Sequence, residues 1–142
     1  MKTSDVPQDN GTIDEYGHEI CYAVDPDGHY RLTPSLGWEA KNIVNEQAWE
    51  VIAAETANAY TLVKKGALSP LAFYQVKHQM DLTLLAQYVS MAKWRVRRHM
   101  KPHIFKNLPD KILQKYAEVF GISIADLQQL PESFSHNQIK QR

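Results

Sequence analysis

Between residues 66 and 131 a helix stop or start signal recurs about every ten positions, so this stretch can form only short helices. Gly66 ends one apolar pattern, and Ser69-Pro70 opens the next, with Leu71, Phe73/Tyr74 and Lys77 carrying the helical spacing to about Gln79. Asp81 can cap a helix bearing Leu82, Leu85, Ala86 and Val89. After the break Ser90-Met91-Ala92, a helix from Lys93 to Met100 must stop before Pro102. Another begins near Pro109, places Ile112, Leu113, Tyr116, Ala117 and Phe120 on one side, and ends at Gly121. Ser123 with Asp126 three residues on is a short-armed capping box for the last, with Ile122 and Leu127 as its hydrophobic staple. Helices shorter than about 12 to 15 residues are marginal alone, so these five must bury their apolar sides against one another. The outcome is a small bundle in which the second and third helices are separated by a tight turn.

Upstream, EICYAV (19–24) and HYRLT (29–33) flank DPDG. Pro26 presets the first central position of a type I turn, and Gly28 supplies the left-handed residue of the accompanying bulge. A two-stranded hairpin is marginal in water, so Ile20, Tyr22, Tyr30 and Leu32 are expected to lie on another element. Val44, Ala48, Val51/Ile52, Ala59 and Val63 predict a long helix from about Asn45 to Lys65, with Asn45 as N-cap. Trp38, Trp49 and Tyr60 add aromatic area for the hairpin or a second subunit. The fold class is thus mainly α: a polar loose tail (1–17), a hairpin plus long helix for interaction or dimerisation (18–68), the short-helix domain (69–130) and a flexible tail (131–142).

Net charge is zero, yet residues 1–60 hold 11 Asp/Glu against 3 Lys/Arg and residues 61–142 hold 5 against 13. Seven Lys/Arg and one Asp fall within 93–111, a patch suited to polyanions. Mutual neutralisation of the two halves explains the same counts. One cysteine, Cys21, excludes an internal disulfide and a cysteine-based zinc cage. No stretch reaches the roughly 18 apolar residues of a membrane span, and the first thirty residues are acidic and broken, unlike a secretory leader; a cytoplasmic protein is expected. No motif pairs a nucleophile with its base, and Pro102 interrupts the helix that would bring His99 and His103 to one metal. Neither enzymatic activity nor a cofactor nor a metal is expected.

Residues 70–129 resemble the Cro/C1 repressor-like (XRE-type) helix-turn-helix domain. MDLTLLAQYVSMAKWRVRRHMKP follows that family's pattern without a gap: Leu85-Ala86 matches its Leu-Ala pair, Val89-Ser90-Met91 its turn, and Val96 the apolar anchor of its third helix. YAEVFGISIADL matches the ending in which an alanine-bearing helix meets Gly-Ile-Ser and a last short helix. The resemblance implies a five-helix bundle that binds double-stranded DNA as a homodimer and regulates transcription, with 93–100 as recognition helix. It implies that Lys93, Trp94 and Arg98 meet base edges, while Arg95, Arg97, Lys101 and Lys106 track the backbone. Residues 1–68 lie outside it.

The chain departs from that pattern at Ser90, where the family carries a glycine, so that a left-handed backbone costs about 1 kcal/mol more. Ala92 replaces the polar cap, Met100-Lys101-Pro102 replaces Glu-x-Gly, and Leu82 and Met91 are apolar at the groove-facing end. The competing expectation is an antitoxin-like or adaptor module with a degenerate helix-turn-helix, taking a protein partner through residues 18–65.

Overall fold

In the computed structural model, which describes residues 1–9, 18–132 and 134, Asp25 builds the first turn. Its carboxylate accepts from the amides of Asp27 (3.0 Å) and His29 (2.9 Å) and from Arg31 Nε (2.6 Å). The Gly28 amide closes on the Asp25 carbonyl at 3.0 Å with Gly28 at φ 84°, the type I turn with a left-handed bulge residue that DPDG predicts. β1 (Glu19–Val24) and β2 (Tyr30–Ser35) pair antiparallel, Tyr22 opposite Leu32 and Ile20 opposite Pro34. Ala23 and Ser35, on the opposite face, are buried. Ile20, Tyr22, Tyr30 and Leu32 are 60 to 78 % exposed, which corrects the expectation that this face lies on another element.

Residues 1–9 are not the loose tail expected of 1–17; residues 10–17 lie outside the described residues. Thr3–Asp5 form a single 3-10 turn, Val6 is buried, and bridges join Lys2 to Val24 and Gln8 to Gly37. The Val24 amide donates to the Met1 carbonyl (2.9 Å), and Gln8 Nε2 donates to the Pro34 carbonyl (2.9 Å).

The long helix, α1 (Glu39–Lys64), starts six residues before the predicted Asn45 cap. Its first turn is closed from a distance: Asp9 Oδ2 accepts from the Glu39 amide (3.1 Å), and Asn42 Nδ2 donates to the Asp9 carbonyl (3.0 Å). Gly37, at φ 109°, lets Asn42 approach; a Cβ there would sit 2.9 Å from its side-chain oxygen.

The chain divides into two compact units, 1–50 and 51–142, so the boundary falls inside α1 instead of at residue 68. The cause is the apolar content of the helix's second half: Tyr60 and Val63 pack on the core of the second unit, where Tyr60 meets the Phe73 ring edge-on at 5.7 Å. That core is made by α2 (Pro70–Lys77), α3 (Leu82–Tyr88), α4 (Lys93–His99), α5 (Pro102–Phe105), α6 (Asp110–Phe120) and α7 (Ile124–Gln128). Leu71, Phe73, Leu85, Val96, Leu113, Tyr116, Phe120 and Leu127 are each at most 1 % exposed. α5 is one turn that the sequence reading omitted, with Pro102 at its start. Phe134, within the expected flexible tail, packs 5.7 Å from Phe73; residues 135–142 lie outside the described residues.

In the short helices the caps follow the residues predicted for them, with one exception. Asp81 accepts from the Leu84 amide (2.6 Å), and Ser123 with Asp126 forms the reciprocal capping box. Ser69 precedes Pro70 as expected, but its hydroxyl donates to the His99 carbonyl (3.0 Å) instead of capping its own helix. Among the described residues no helix is long and apolar enough to cross a membrane.

Candidate nucleic-acid interface

α3 and α4 are joined by the four residues Val89–Ala92, and the turn is a C-terminal closure of α3. The Ser90 amide returns to the Gln87 carbonyl (3.1 Å) and the Met91 amide to that of Ala86 (3.0 Å), with Ser90 at φ 53°. The same pair of bonds closes α6 through Gly121 (φ 64°) and α2 through Gln79 (φ 54°). Ser90 therefore occupies a left-handed position. Gln79 was not legible as such.

The inward side of α4 is narrow. Val96 is fully buried and His99 is 6 % exposed, three positions apart on one face. Everything else on the helix faces out: Lys93, Trp94, Arg95, Arg97 and Arg98 are exposed, Trp94 at 67 %, and Lys101 and Lys106 beyond it are exposed as well. All seven predicted contact residues thus lie on solvent-facing positions of one unit. Among the described residues none of these cations lies within salt-bridge distance of a carboxylate; the ion pairs present join Asp25 to His29 and Arg31, and Glu19 to Lys41.

Both ends of α4 are tied to neighbouring helices. At its C-terminus Ser69 receives the chain twice, its hydroxyl on the His99 carbonyl and its amide on the Met100 carbonyl (2.8 Å). At its N-terminus Lys93 Nζ donates to Thr83 Oγ1 (2.6 Å), which draws Lys93 towards the start of α3. On its back, His99 Nδ1 lies 2.8 Å from the Tyr116 hydroxyl of α6. Burial, with Arg95 and Arg98 adding to it, holds the His99 imidazole below its ordinary value, and burial pushes the Tyr116 phenol well above its own. Both are neutral near pH 7, and in the Nε2-protonated tautomer Tyr116 donates to His99. Thr83, Ser69 and Tyr116 position the helix, and sequence reasoning missed all three, because their partners lie 10, 30 and 17 residues away.

Leu84 and Tyr88 of α3 add exposed apolar surface (39 % and 62 %). Tyr88 also lines a concavity of about 490 Å³ with Val89, Ser90, Lys115, Glu118 and Val119. His103 is exposed whereas His99 is buried, and among the described residues no three His, Cys, Asp or Glu side chains gather at a common point. The surface can attract anions, donate fork-shaped hydrogen bonds and stack on planar groups. No family model matches the chain, and no curated protein or solved structure does either.

Proposed function

We propose that this protein is a cytoplasmic, DNA-binding transcriptional regulator that lays α4 in the major groove of double-stranded DNA and works as a homodimer. One observation carries the reading: Val96 and His99 occupy the buried side of α4 while Lys93, Trp94, Arg95, Arg97 and Arg98 share the exposed remainder without carboxylate partners among the described residues. A helix whose cations were needed for folding would pair them; these are left for an external polyanion. Lys93, Trp94 and Arg98 read base edges, and Arg95, Arg97, Lys101 and Lys106 hold the backbone. The helix-turn-helix resemblance over 70–129 adds to this reading.

Fluorescence anisotropy with mixed genomic fragments near 50 mM salt tests it. Arg98→Ala is expected to relax sequence preference by about 1 to 3 kcal/mol at one position. Absence of detectable binding at that salt sinks the proposal. It would leave the adaptor reading, which the exposed apolar hairpin face favours.

A further inference from the structure

The outward face of the hairpin has no explanation in DNA binding. Ile20, Tyr22, Tyr30 and Leu32 are 68, 73, 78 and 60 % exposed, and the register puts Tyr22 opposite Leu32 and Tyr30 opposite Val24 on that face. With two tyrosines at 150 to 250 Å² each when buried, and two aliphatic side chains beside them, the patch offers roughly 500 Å². A twofold contact would then bury about 1,000 Å², the lower bound of specific association.

We propose that this face is a symmetric interface with a second copy of the chain, the two hairpins packing sheet against sheet. The choice of a second copy rests on the DNA-binding reading, which needs paired recognition helices; the surface itself does not.

Two further observations select a face-to-face, self-complementary contact. The sheet edges are already blunted. The Asp25 amide bonds the His29 carbonyl (2.9 Å), and alternation from that pair makes Ile20–Pro34 a non-hydrogen-bonded pair whose edge on β2 faces outward. Pro34 has no N–H to offer there, and its carbonyl already accepts from Gln8. On β1, the Val24 amide is taken by Met1. Edge-to-edge pairing is therefore impeded while the face stays open. The face is also uncharged, since Ile20, Tyr22, Val24, Tyr30, Leu32 and Pro34 occupy it, whereas Glu19 pairs with Lys41 and Asp25 with Arg31. A dyad through it brings no like charges into contact, although residues 1–60 carry 11 acidic against 3 basic groups.

Charge at a distance sets the salt dependence. Two acidic N-terminal halves repel, so the dimer should tighten as salt screens them. A head-to-tail contact, acidic half of one copy on basic half of another, would weaken instead.

Analytical ultracentrifugation of the full chain tests the proposal. Because the substituted side chains are solvent-facing, Tyr22→Ser/Leu32→Ser should keep the wild-type circular dichroism and melting profile in the monomer. Its dimer dissociation constant is expected to rise about 100-fold or more, while Ile43→Ser/Val44→Ser on α1 leaves it unchanged. A wild-type monomer at about 100 μM, a dimer unaffected by the hairpin variant, or association that weakens with salt overturns the proposal. A hairpin-dependent dimer that binds no DNA keeps the interface and removes the DNA reading. A monomeric wild type that binds DNA does the reverse.

Discussion

The Tyr116 hydroxyl of α6 meets His99 Nδ1 on the buried back of α4 at 2.8 Å, joining the basic helix α4 to a helix that also buries Leu113, Ala117 and Phe120. Tyr116 is fully buried and His99 6 % exposed, so removing the hydroxyl strands a polar atom that water cannot reach. Tyr116→Phe is expected to destabilise the protein by about 1 to 3 kcal/mol, read as a lower urea midpoint at constant m. An unchanged midpoint would show that the contact adds nothing.

The same pair sets a pH response. Burial, then Arg95 and Arg98, depress the His99 value, so at mildly acidic pH the unfolded chain takes up a proton that the folded chain refuses. Stability is whole above about pH 6.5 and falls as pH drops from there to the depressed folded value, below which this contribution levels off. Urea titrations between about pH 5 and 8 should show the decline, and His99→Gln should flatten it. Asp25 acts in a separate window. The His29 amide foremost, with Arg31 and the Asp27 amide, lowers its value against the opposing effect of burial, so its contribution is present above about pH 4 and lost below.

Ser90 holds φ 53° in the turn that aims α4, and Gln79 holds φ 54° at the end of α2. A glycine relieves the Cβ clash of the left-handed conformation, so Ser90→Gly and Gln79→Gly should each stabilise by about 1 kcal/mol, despite the entropy a glycine restores to the unfolded chain. Raised melting temperatures are the expected readout, and a fall in both would refute the strain argument.

If roughly five to seven phosphates are neutralised, affinity for DNA should fall with a log–log salt slope of about −4.5 to −6. Lys106 is exposed and is proposed to hold the DNA backbone, so Lys106→Ala should weaken all fragments alike and flatten that slope by about 0.9. Selective loss on some fragments only would move Lys106 from positioning to readout.

The local grammar of the chain was legible. The Asp25–Gly28 turn, the Asp81 and Ser123 caps and the Gly121 stop follow from residue types at fixed offsets. Each rests on hydrogen bonds and backbone preferences that act within about five residues, so sequence alone states them. The inward placement of Val96 and the outward placement of the predicted contact residues came instead with the helix-turn-helix resemblance; Val96 is fully buried and the seven contact residues are exposed.

Tertiary structure decided the rest. α1 begins at Glu39 because Asp9, thirty residues earlier, supplies its first acceptor. Ser69 gives its hydroxyl to the His99 carbonyl because the start of α2 meets the end of α4, a partner thirty residues away that no local capping rule anticipates. The hairpin's apolar face is open because its other face is the one buried; alternation in the strands marks two faces but not which of them finds a neighbour. The physical difference is range: propensity and capping are set by bonds the chain makes with itself nearby, whereas burial depends on which surfaces the whole fold brings together.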